Sequence, residues 1–275
     1  MKIAITGANG YIGSALIKRC IEKGYSTVAV DLDNKYIDNR AEYLNINIFD
    51  NNENLFDRMG CPDVLIHLAW RKGFIHNDIA HLEDLDKHYK FLTSMIDSGV
   101  KYLSVMGSMH EIGYYEGAIE PNTPCNPMSL YGIAKNALRQ ALECYVAEKG
   151  IAFHWLRAFY IVGEDERSSS VFGKLIRSAN EGKKEFPLNS GKNKYDFISI
   201  DELCEQIIAA SVQDNVNGII NVCSGMPVAL GERIEQFISD NNLDMKLKYG
   251  VFPDRPYDSP IVYGDNTRIK EIFNP

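Results

Sequence analysis

A glycine-rich turn near the start of the chain constrains the fold more than any other segment. Residues 6–13 read Thr-Gly-Ala-Asn-Gly-Tyr-Ile-Gly and connect the apolar run Lys2–Thr6 to the amphipathic run Tyr11–Lys23. Glycines between a strand and a helix permit a tight turn and let a pyrophosphate approach the backbone at the helix N-terminus. The pattern favours a dinucleotide site over a purely structural turn. The residues expected at this site are Gly7, Asn9, Gly10, Tyr11, Ile12 and Gly13.

Apolar runs and helical patterns alternate along the first part of the chain, which is typical of parallel strands joined by crossover helices. The sequence predicts an α/β fold, a Rossmann-like doubly wound parallel sheet with a small C-terminal substrate lobe. Residues 1–163 form the predicted dinucleotide-binding domain, to which segments at about 195–225 return, and residues 164–275 are mainly the substrate-binding lobe. The polar stretch 164–170 is predicted to be a mobile loop. Further strands are expected at 27–31, 63–69, 101–106 and 153–158, and helices at 82–98 and 129–149.

Composition excludes several classes of partner. The net charge of -8 argues against binding to nucleic acid, because neutralising phosphates requires a basic face. No apolar run approaches the ~20 residues of a membrane span, and the N-terminus lacks a signal-peptide cleavage pattern. The six cysteines are scattered without a Cys-x-x-Cys pair, so we expect no metal site and a reducing, cytoplasmic location.

The second predicted strand ends in an acid, Asp31, at about the ~20-residue interval expected after the glycine turn. A carboxylate there accepts hydrogen bonds from both ribose hydroxyls of NAD and repels the 2′-phosphate of NADP. We therefore expect NAD as the cofactor. Lys35 and Arg40 lie nearby in sequence and leave NADP open, and a solvated strand end is the structural alternative for Asp31.

A tyrosine and a lysine four residues apart, Tyr131 and Lys135, share one face of a predicted helix. A free tyrosine has a pKa of ~10, and a nearby ammonium together with an oxidised nicotinamide would lower that pKa. Tyr131 can then exchange a proton with a substrate oxygen while a hydride moves at carbon. Ser108 follows a predicted strand at the edge where α/β proteins bind ligands, so its hydroxyl is expected to contact the same oxygen.

In this order along the chain, these motifs resemble the extended short-chain dehydrogenases/reductases of the nucleotide-sugar epimerase/dehydratase branch. The run Asp196–Asp201 also falls in family order. The resemblance implies Ser108, Tyr131 and Lys135 as the catalytic triad and a C-terminal lobe that binds a nucleoside diphosphate. It places further residues around the cofactor, namely Asn47, Ile48, Leu68 and Ala69.

Other substrate contacts follow from the same resemblance. Arg255, in the run Arg255–Asp258, matches a family arginine that binds the pyrophosphate. Tyr160 stands where an asparagine is common, and Met109 stands where family dehydratases have an acid. Methionine cannot transfer protons, so dehydratase activity is disfavoured.

Histidines and one tryptophan surround these motifs in the sequence. His110 is a possible second acid/base because imidazole titrates near neutral pH, and a structural histidine in a turn is the alternative. Trp70 either narrows the nicotinamide side of the pocket or is a packed aromatic. Glu111 is expected to be structural. We expect ordinary surface or core positions for His76, His81 and His88.

The sequence therefore favours an NAD(P)-dependent oxidoreductase that acts on a nucleotide-activated sugar. The best specific interpretation is reduction of a nucleotide 4-keto-6-deoxyhexose in surface polysaccharide or deoxysugar synthesis. A nucleotide-sugar 4-epimerase is the alternative enzyme, and a non-catalytic dinucleotide sensor is the alternative from another class. The resemblance also implies a homodimer. The predicted helices at 82–98 and 129–149 carry apolar stripes. These stripes either pack across the two-fold axis of the dimer or pack against the sheet of their own subunit.

Overall fold

The structure, a computed structural model, describes residues 1–50, 54–164, 166, 168–255 and 258–274. Its strands, in chain order, are β1 (Lys2–Thr6), β2 (Ser26–Asp31), β3 (Glu42–Asn45), β4 (Val64–His67), β5 (Tyr102–Ser108), β6 (Gly117–Ile119), β7 (Ala152–Ala158), β8 (Tyr160–Val162), β9 (Glu185–Pro187), β10 (Lys194–Ser199), β11 (Gly218–Val222), β12 (Pro227–Ala229), β13 (Lys246–Lys248) and β14 (Ile261–Gly264). Its helices are α1 (Tyr11–Glu22), α2 (Leu55–Arg58), α3 (Ala80–Glu83), α4 (Leu85–Ser98), α5 (Leu130–Val146), α6 (Val171–Asn180), α7 (Ile200–Ser211), α8 (Leu230–Asp240) and α9 (Thr267–Phe273).

Seven parallel strands form the main sheet, in the order β11-β7-β5-β4-β1-β2-β3. The strands are apolar on both faces because helices cover both faces. In β1, Ile3 and Ile5 join the apolar cluster under α1 and α7, while Ala4 joins the cluster under α4 and α5. The predicted Rossmann-like sheet is confirmed, and the C-terminal ends of its strands meet at one edge.

Local signals locate most of the elements of this sheet. Gly24 and Gly99 follow α1 and α4 with φ of 80° and 125°, as expected for glycines that end helices. The prediction of one helix over 82–98 was wrong at Asp84, where ψ is −5° and the helix divides into α3 and α4. The Asp84 carboxylate at this break makes ion pairs with Arg71 and Lys87.

The apolar stripes of α4 and α5 pack against the main sheet of the same chain. Phe91, Leu92 and Met95 of α4 and Leu138 and Leu142 of α5 are all buried in one cluster with the strands. These stripes therefore serve the chain's own sheet. Among the described residues, no helix is both long and apolar enough to cross a membrane.

A second sheet and a third apolar cluster lie beside the main sheet. The second sheet has the order β12-β10-β14-β6, with β8 also paired to β10, and β13 pairs with β9. Asp196 of β10 is fully buried and accepts hydrogen bonds from the backbone N–H groups of Ser224, Gly225 and Gly264. The domain division stays a prediction. In the predicted loop 164–170, Asp165 and Arg167 lie outside the described residues.

Candidate active site

The glycine turn between β1 and α1 is packed too tightly for side chains at two of its positions. Gly7 has a φ of 72°, and a Cβ there would lie 2.6 Å from the backbone nitrogen of Ala69. A Cβ on Gly13 would lie 2.1 Å from the carbonyl oxygen of Gly7. Both atoms that would be struck belong to the backbone, so only glycine fits. The turn therefore brings bare backbone to the N-terminus of α1, as phosphate binding requires.

The carboxylate of Asp31 is fixed at the end of β2. It accepts hydrogen bonds from the backbone N–H groups of Asn9 at 2.9 Å and Leu32 at 2.7 Å. Arg40, which left NADP open in the sequence, makes a bidentate ion pair with Asp38 at 2.9 and 2.6 Å. That pairing lowers the pKa of Asp38 to about 2. Because Arg40 is paired with Asp38, the negative charge of Asp31 at the end of β2 remains suited to accept hydrogen bonds from ribose hydroxyls.

A cavity of about 850 Å³ opens over this edge of the sheet. This volume is within the range of ligand pockets, ~300–1,000 Å³. The amide of Asn47 holds its own turn by donating to Asp50 at 2.8 Å and accepting from the Phe49 N–H at 3.1 Å. The predicted cofactor residues that line the cavity are Gly7, Asn9, Gly10, Asp31, Asn47, Ile48, Leu68 and Ala69.

Three predicted cofactor residues lie in α1 rather than on the cavity wall. Ile12 packs against the core beneath the sheet, and Gly13 makes the tight contact with Gly7. The hydroxyl of Tyr11 lies beside Gly163, where a Cβ would be 1.9 Å from it. The cradle that excludes a Cβ, the helix N-terminus and the fixed carboxylate together fit an NAD molecule lying across the edge of the sheet.

Ser108, Tyr131 and Lys135 come together beyond the cavity. Ser108 is the last residue of β5, and Tyr131 lies in the first turn of α5, one turn before Lys135. Backbone donors at the start of α5 have partners outside the helix. The N–H of Tyr131 donates to the carbonyl of His76 at 2.8 Å, and the N–H of Gly132 donates to the Ser129 hydroxyl at 3.2 Å. The first turn that carries Tyr131 is thereby held in place.

Burial dominates the protonation of this group when no cofactor is bound. It raises the pKa of Tyr131 to about 12, against the lowering effect of a hydrogen bond with the Ser108 side chain. Burial also lowers the pKa of Lys135 to about 7, against the raising effect of Glu111. The expected lowering of the Tyr131 pKa by the ammonium is thus absent from the chain alone. The phenol is held protonated.

The residues directly after Ser108 form a short 3₁₀ turn, Met109–Glu111. The Met109 side chain is buried in the apolar cluster of the second sheet. The His110 ring lies 6.2 Å from the Tyr131 ring, and burial lowers its pKa to about 4. His110 is therefore a neutral imidazole beside the phenol, able to donate or accept one hydrogen bond at each nitrogen.

Glu111 has the structural position that was expected. Its carboxylate is fully buried and accepts hydrogen bonds from the Ser108 N–H at 2.6 Å and the Trp155 indole at 3.0 Å. Arg157, also fully buried, pairs with it at 3.6 Å. The Glu111 carboxylate, held by Trp155 and Arg157, thus fixes the backbone of Ser108.

Sequence reasoning missed an aromatic wall around Tyr131. His76 stacks on the Tyr131 ring with centroids 5.3 Å apart, and it meets His110 edge-on at 4.5 Å. His81 lies edge-on to Tyr131 at 5.3 Å. His81 lies in α3 and His88 lies in α4, on either side of the break at Asp84, so no single helical period relates them. His76 lies in the loop before α3, and a loop carries no periodic signal.

The predicted substrate residues of the second sheet form a separate group. The Tyr160 ring packs on Tyr195 with centroids 4.6 Å apart, and burial raises the pKa of Tyr160. Arg255 is close enough to lower the pKa values of Tyr195 and Asp258 against the effect of their burial. The residues that follow Arg255 in its motif, Pro256 and Tyr257, lie outside the described residues. Within the described ranges, no three His, Cys, Asp or Glu side chains converge as metal ligands would.

Comparison with known proteins supports the same interpretation. The model of the NAD-dependent epimerase/dehydratase family matches residues 3–223. A protein of Aggregatibacter actinomycetemcomitans named dTDP-6-deoxy-L-talose 4-dehydrogenase (NAD(+)) is 44% identical over 269 residues, covering 96% of this chain and 99% of that protein. A GDP-6-deoxy-D-talose 4-dehydrogenase of the same organism is 23% identical over 285 residues, covering 99% and 91%.

Comparison with solved structures shows the same fold even where the sequence identity is low. The UDP-N-acetylglucosamine 4-epimerase from Methanobrevibacter ruminantium M1 has a TM-score of 0.86 at 20% identity, covering 98% of this chain and 91% of that chain. The predicted fold, the enzyme class and the NAD cofactor are confirmed, and the non-catalytic sensor is discarded. The chain belongs to the NAD-dependent epimerase/dehydratase family.

Proposed function

We propose that this protein reduces the C4 keto group of a nucleotide-activated 4-keto-6-deoxyhexose with NADH, in surface polysaccharide or deoxysugar synthesis. The observation that carries the proposal is the 44% identity, over nearly the whole of both chains, to a protein named dTDP-6-deoxy-L-talose 4-dehydrogenase (NAD(+)). Oxidation of a 6-deoxyhexose at C4 gives a 4-keto-6-deoxyhexose. The proposed reaction is this oxidation in reverse.

The residues around the cavity are suited to hold the cofactor across the sheet edge. The backbone of Gly7 and Gly10, at the N-terminus of α1, lies where the pyrophosphate would bind, and the carboxylate of Asp31 would bind the adenosine ribose. The bound NADH supplies the hydride. The ammonium of Lys135 lies 3.9 Å from the centre of the Trp70 ring, which lines the cavity, and 5.9 Å from the centre of the Tyr131 ring, and it would bind the second ribose.

Tyr131 is assigned the proton transfer. Its phenol carries a proton at neutral pH because burial raises its pKa to about 12. A protonated phenol suits reduction, since the oxygen of the keto group must gain a proton as the carbon gains a hydride. In the cofactor-free chain the Ser108 hydroxyl is hydrogen-bonded to the same phenol. With substrate bound, its single proton would instead be donated to the keto oxygen and fix the position of that oxygen. Ser108 is buried and Tyr131 is partly buried, which limits the access of water to the transfer.

We assign two imidazoles to contacts with the sugar itself. His76 is half-buried and His110 lies beside it, both against Tyr131. The low pKa of His110, about 4, keeps it neutral and makes it a weak proton acceptor at neutral pH, so we assign it hydrogen bonding to a sugar hydroxyl. Arg255 is assigned to the pyrophosphate of the nucleotide sugar, because its planar fork binds phosphate oxygens in pairs.

The test mixes the purified protein with NADH and a nucleotide 4-keto-6-deoxyhexose and follows nicotinamide absorbance. We expect stoichiometric loss of NADH, and a fall in turnover of about 10²-fold or more for Tyr131→Phe with NADH affinity retained. Tyr145→Phe, a tyrosine on the same helix whose hydroxyl bonds Asp97 at 2.6 Å, is the matched control and should keep full turnover. A change of sugar stereochemistry without net loss of NADH would indicate a 4-epimerase instead.

A homodimer and a cytoplasmic location are further parts of this proposal. Exposed apolar side chains at α3 and the start of α5 support a contact with a second copy, namely Ile79, Leu82, Met128 and Ile133. Light scattering should then give twice the 31.0 kDa chain mass. All six cysteines are free thiols, which supports a reducing compartment. Cell fractionation tests the location.

A further inference from the structure

The catalytic lysine is buried with few partners for its charge. Lys135 is 2% exposed, and within the described part of the chain its ammonium makes one hydrogen bond, to the carbonyl oxygen of Met106 at 2.7 Å. An ammonium has three N–H donors, and burial without partners disfavours the charged form. Something else near Lys135 must compensate for the lost water if the cation is to persist.

The indole of Trp70 is the group that meets this ammonium. The Lys135 Nζ atom lies 3.9 Å from the centroid of the Trp70 ring, well within cation–π range. The same ring lines the cofactor cavity and lies edge-on to Tyr131 at 6.1 Å. Trp70 thus stands where the cavity meets the catalytic group.

Trp70 is itself held from two sides. Its ring stacks on His88 with centroids 4.4 Å apart and 10° between the planes. Its N–H donates to Nδ1 of His81 at 3.0 Å, and Nε2 of His81 donates to the Ile75 carbonyl at 3.0 Å. Together the stacking contact and the hydrogen bond fix both the plane and the in-plane orientation of the indole.

The support of His88 extends to the centre of the main sheet. Its Nδ1 atom is hydrogen-bonded to Nε2 of His67 at 2.8 Å, and Nδ1 of His67 is hydrogen-bonded to the Thr6 hydroxyl at 2.7 Å. Thr6 and His67 are neighbouring residues of β1 and β4. The indole face is therefore fixed relative to the two strands that end at the cofactor turn.

We propose that Trp70 is a positioning residue for Lys135, whose indole face holds the buried ammonium in place and in its cationic form. The other ionisable groups near Lys135 are Glu111, Tyr131, His67 and His88. Of these, Glu111 favours the cation, and the two imidazoles stay neutral because burial and Lys135 lower their pKa values. Trp70 and Glu111 thus act together against desolvation. The consequence for turnover rests on the proposed function.

The direct test measures the pKa of Lys135 in the cofactor-free protein. Lysine side chains carrying ¹³C are followed by NMR through a pH titration, with Lys135→Met to assign the signal. Trp70→Leu removes the ring but keeps an apolar side chain, and we expect it to lower the Lys135 pKa by about one unit or more. Trp70→Phe keeps a π face and should restore at least half of that loss. An unchanged pKa in Trp70→Leu would overturn the proposal.

The pH profile of turnover provides a second readout that a purely structural role would not move. If the cation is required, a lower Lys135 pKa moves the alkaline limb of activity to lower pH by the same amount. Trp70→Leu should therefore lose more activity at pH 8 than at pH 6, and Trp70→Phe should lie between it and the wild type. Equal loss at every pH would contradict the proposal.

The two measurements separate this inference from the proposed function. If Trp70→Leu shifts the Lys135 pKa but the protein does not turn over the 4-keto-6-deoxyhexose, the proposed substrate is wrong and the role of Trp70 stands. If the protein turns over this substrate but the pKa does not shift, the proposed substrate stands and the role of Trp70 is wrong. Trp155, which is fully buried and is not one of the residues that line the cavity, remains in each variant and reports by its fluorescence that the fold is intact.

Discussion

Gly13 illustrates how a single hydrogen atom in place of a side chain determines the cofactor site. A Cβ there would lie 2.1 Å from the Gly7 carbonyl oxygen and 2.8 Å from the Ala8 Cα atom, and neither backbone atom can move without opening the turn. Gly13→Ala should therefore destabilise the protein by about 1–3 kcal/mol and weaken NADH binding. Thermal melting and a fluorescence titration with NADH check both effects.

The matched control for this variant is Gly73→Ala. Gly73 has ordinary φ, and a Cβ there meets nothing within 4 Å. We expect wild-type melting and NADH affinity from it. If Gly13→Ala bound NADH as tightly as Gly73→Ala, the turn would not be the phosphate cradle.

Asp31 should control the choice between NAD and NADP. Its carboxylate is fixed by two backbone N–H groups and would repel a 2′-phosphate. Asp31→Ser should raise the preference for NADPH over NADH by about tenfold or more, since ~1.4 kcal/mol of repulsion corresponds to tenfold. Asp33→Ser, an exposed acid two residues on, should leave the ratio of the two kcat/KM values unchanged. A ratio that responds equally to both substitutions would count against the role of Asp31.

At the scale of residues, the sequence predicted what depends on local chemistry. The glycines and Asp31 are readable because a turn and a strand end require them within one short segment. For Trp70 the sequence offered two positions, the nicotinamide side of the pocket or a packed aromatic, and its ring lines the cavity. The position of His76 beside Tyr131 was not predictable, because it depends on a loop that folds back onto α5 through the bond from the Tyr131 N–H to the His76 carbonyl.

At the scale of elements, the N-cap of α5 links stability to the site. The Ser129 hydroxyl accepts a hydrogen bond from the Gly132 N–H at 3.2 Å, one residue after Tyr131. Ser129→Ala should lower the free energy of unfolding by about 1 kcal/mol. It should also reduce turnover, because the first turn of the helix carries Tyr131. Denaturant unfolding and the NADH assay measure the two effects.

Ser199→Ala separates the two effects. Ser199 caps α7 with the same geometry, accepting from the Glu202 N–H at 3.2 Å, but α7 packs on the other side of the main sheet. We expect a similar loss of stability from it with turnover unchanged. Equal losses of turnover in both variants would mean that general destabilisation, rather than the position of Tyr131, lowers activity.

Element type was predictable and element ends were less so. β1 was predicted over the residues where it occurs, because an apolar run stops at a glycine. The break at Asp84 was not predicted, because the pattern over 82–98 is helical throughout. The predicted end of α5 near Lys149 is three residues past its last residue, Val146. The end of this helix was predicted from Gly150, which does not directly follow the last residue of α5.

At the scale of the whole molecule, buried neutral histidines should make the fold sensitive to acid. Burial lowers the pKa of His154 to about 4, against an ordinary value of 6.5. Below pH 6.5 the unfolded chain gains a proton that the folded chain refuses, so stability is lost as the pH falls towards 4. His154→Gln should reduce the slope of unfolding free energy against pH by about 1.4 kcal/mol per unit in this window. Parallel wild-type and variant curves would contradict this.

The arrangement of the whole chain was predicted in outline. The alternation of strand and helix patterns was sufficient to predict the parallel sheet, because few other folds are compatible with this alternation. The second sheet joins β6, β10, β12 and β14 from distant parts of the chain. Short strands of three to six residues carry little periodicity, and their pairing depends on buried bonds such as those to Asp196.

The most direct test of the proposed reduction uses NADH that carries deuterium at the transferred position. The protein is mixed with this cofactor and a nucleotide 4-keto-6-deoxyhexose, and the product sugar is examined by mass spectrometry and NMR. We predict one deuterium at C4 for each NADH consumed, with incorporation slower by about 10²-fold or more in Tyr131→Phe. A sugar that changes stereochemistry without gaining deuterium, or that is not changed at all, would contradict the assignment of this protein as a reductase.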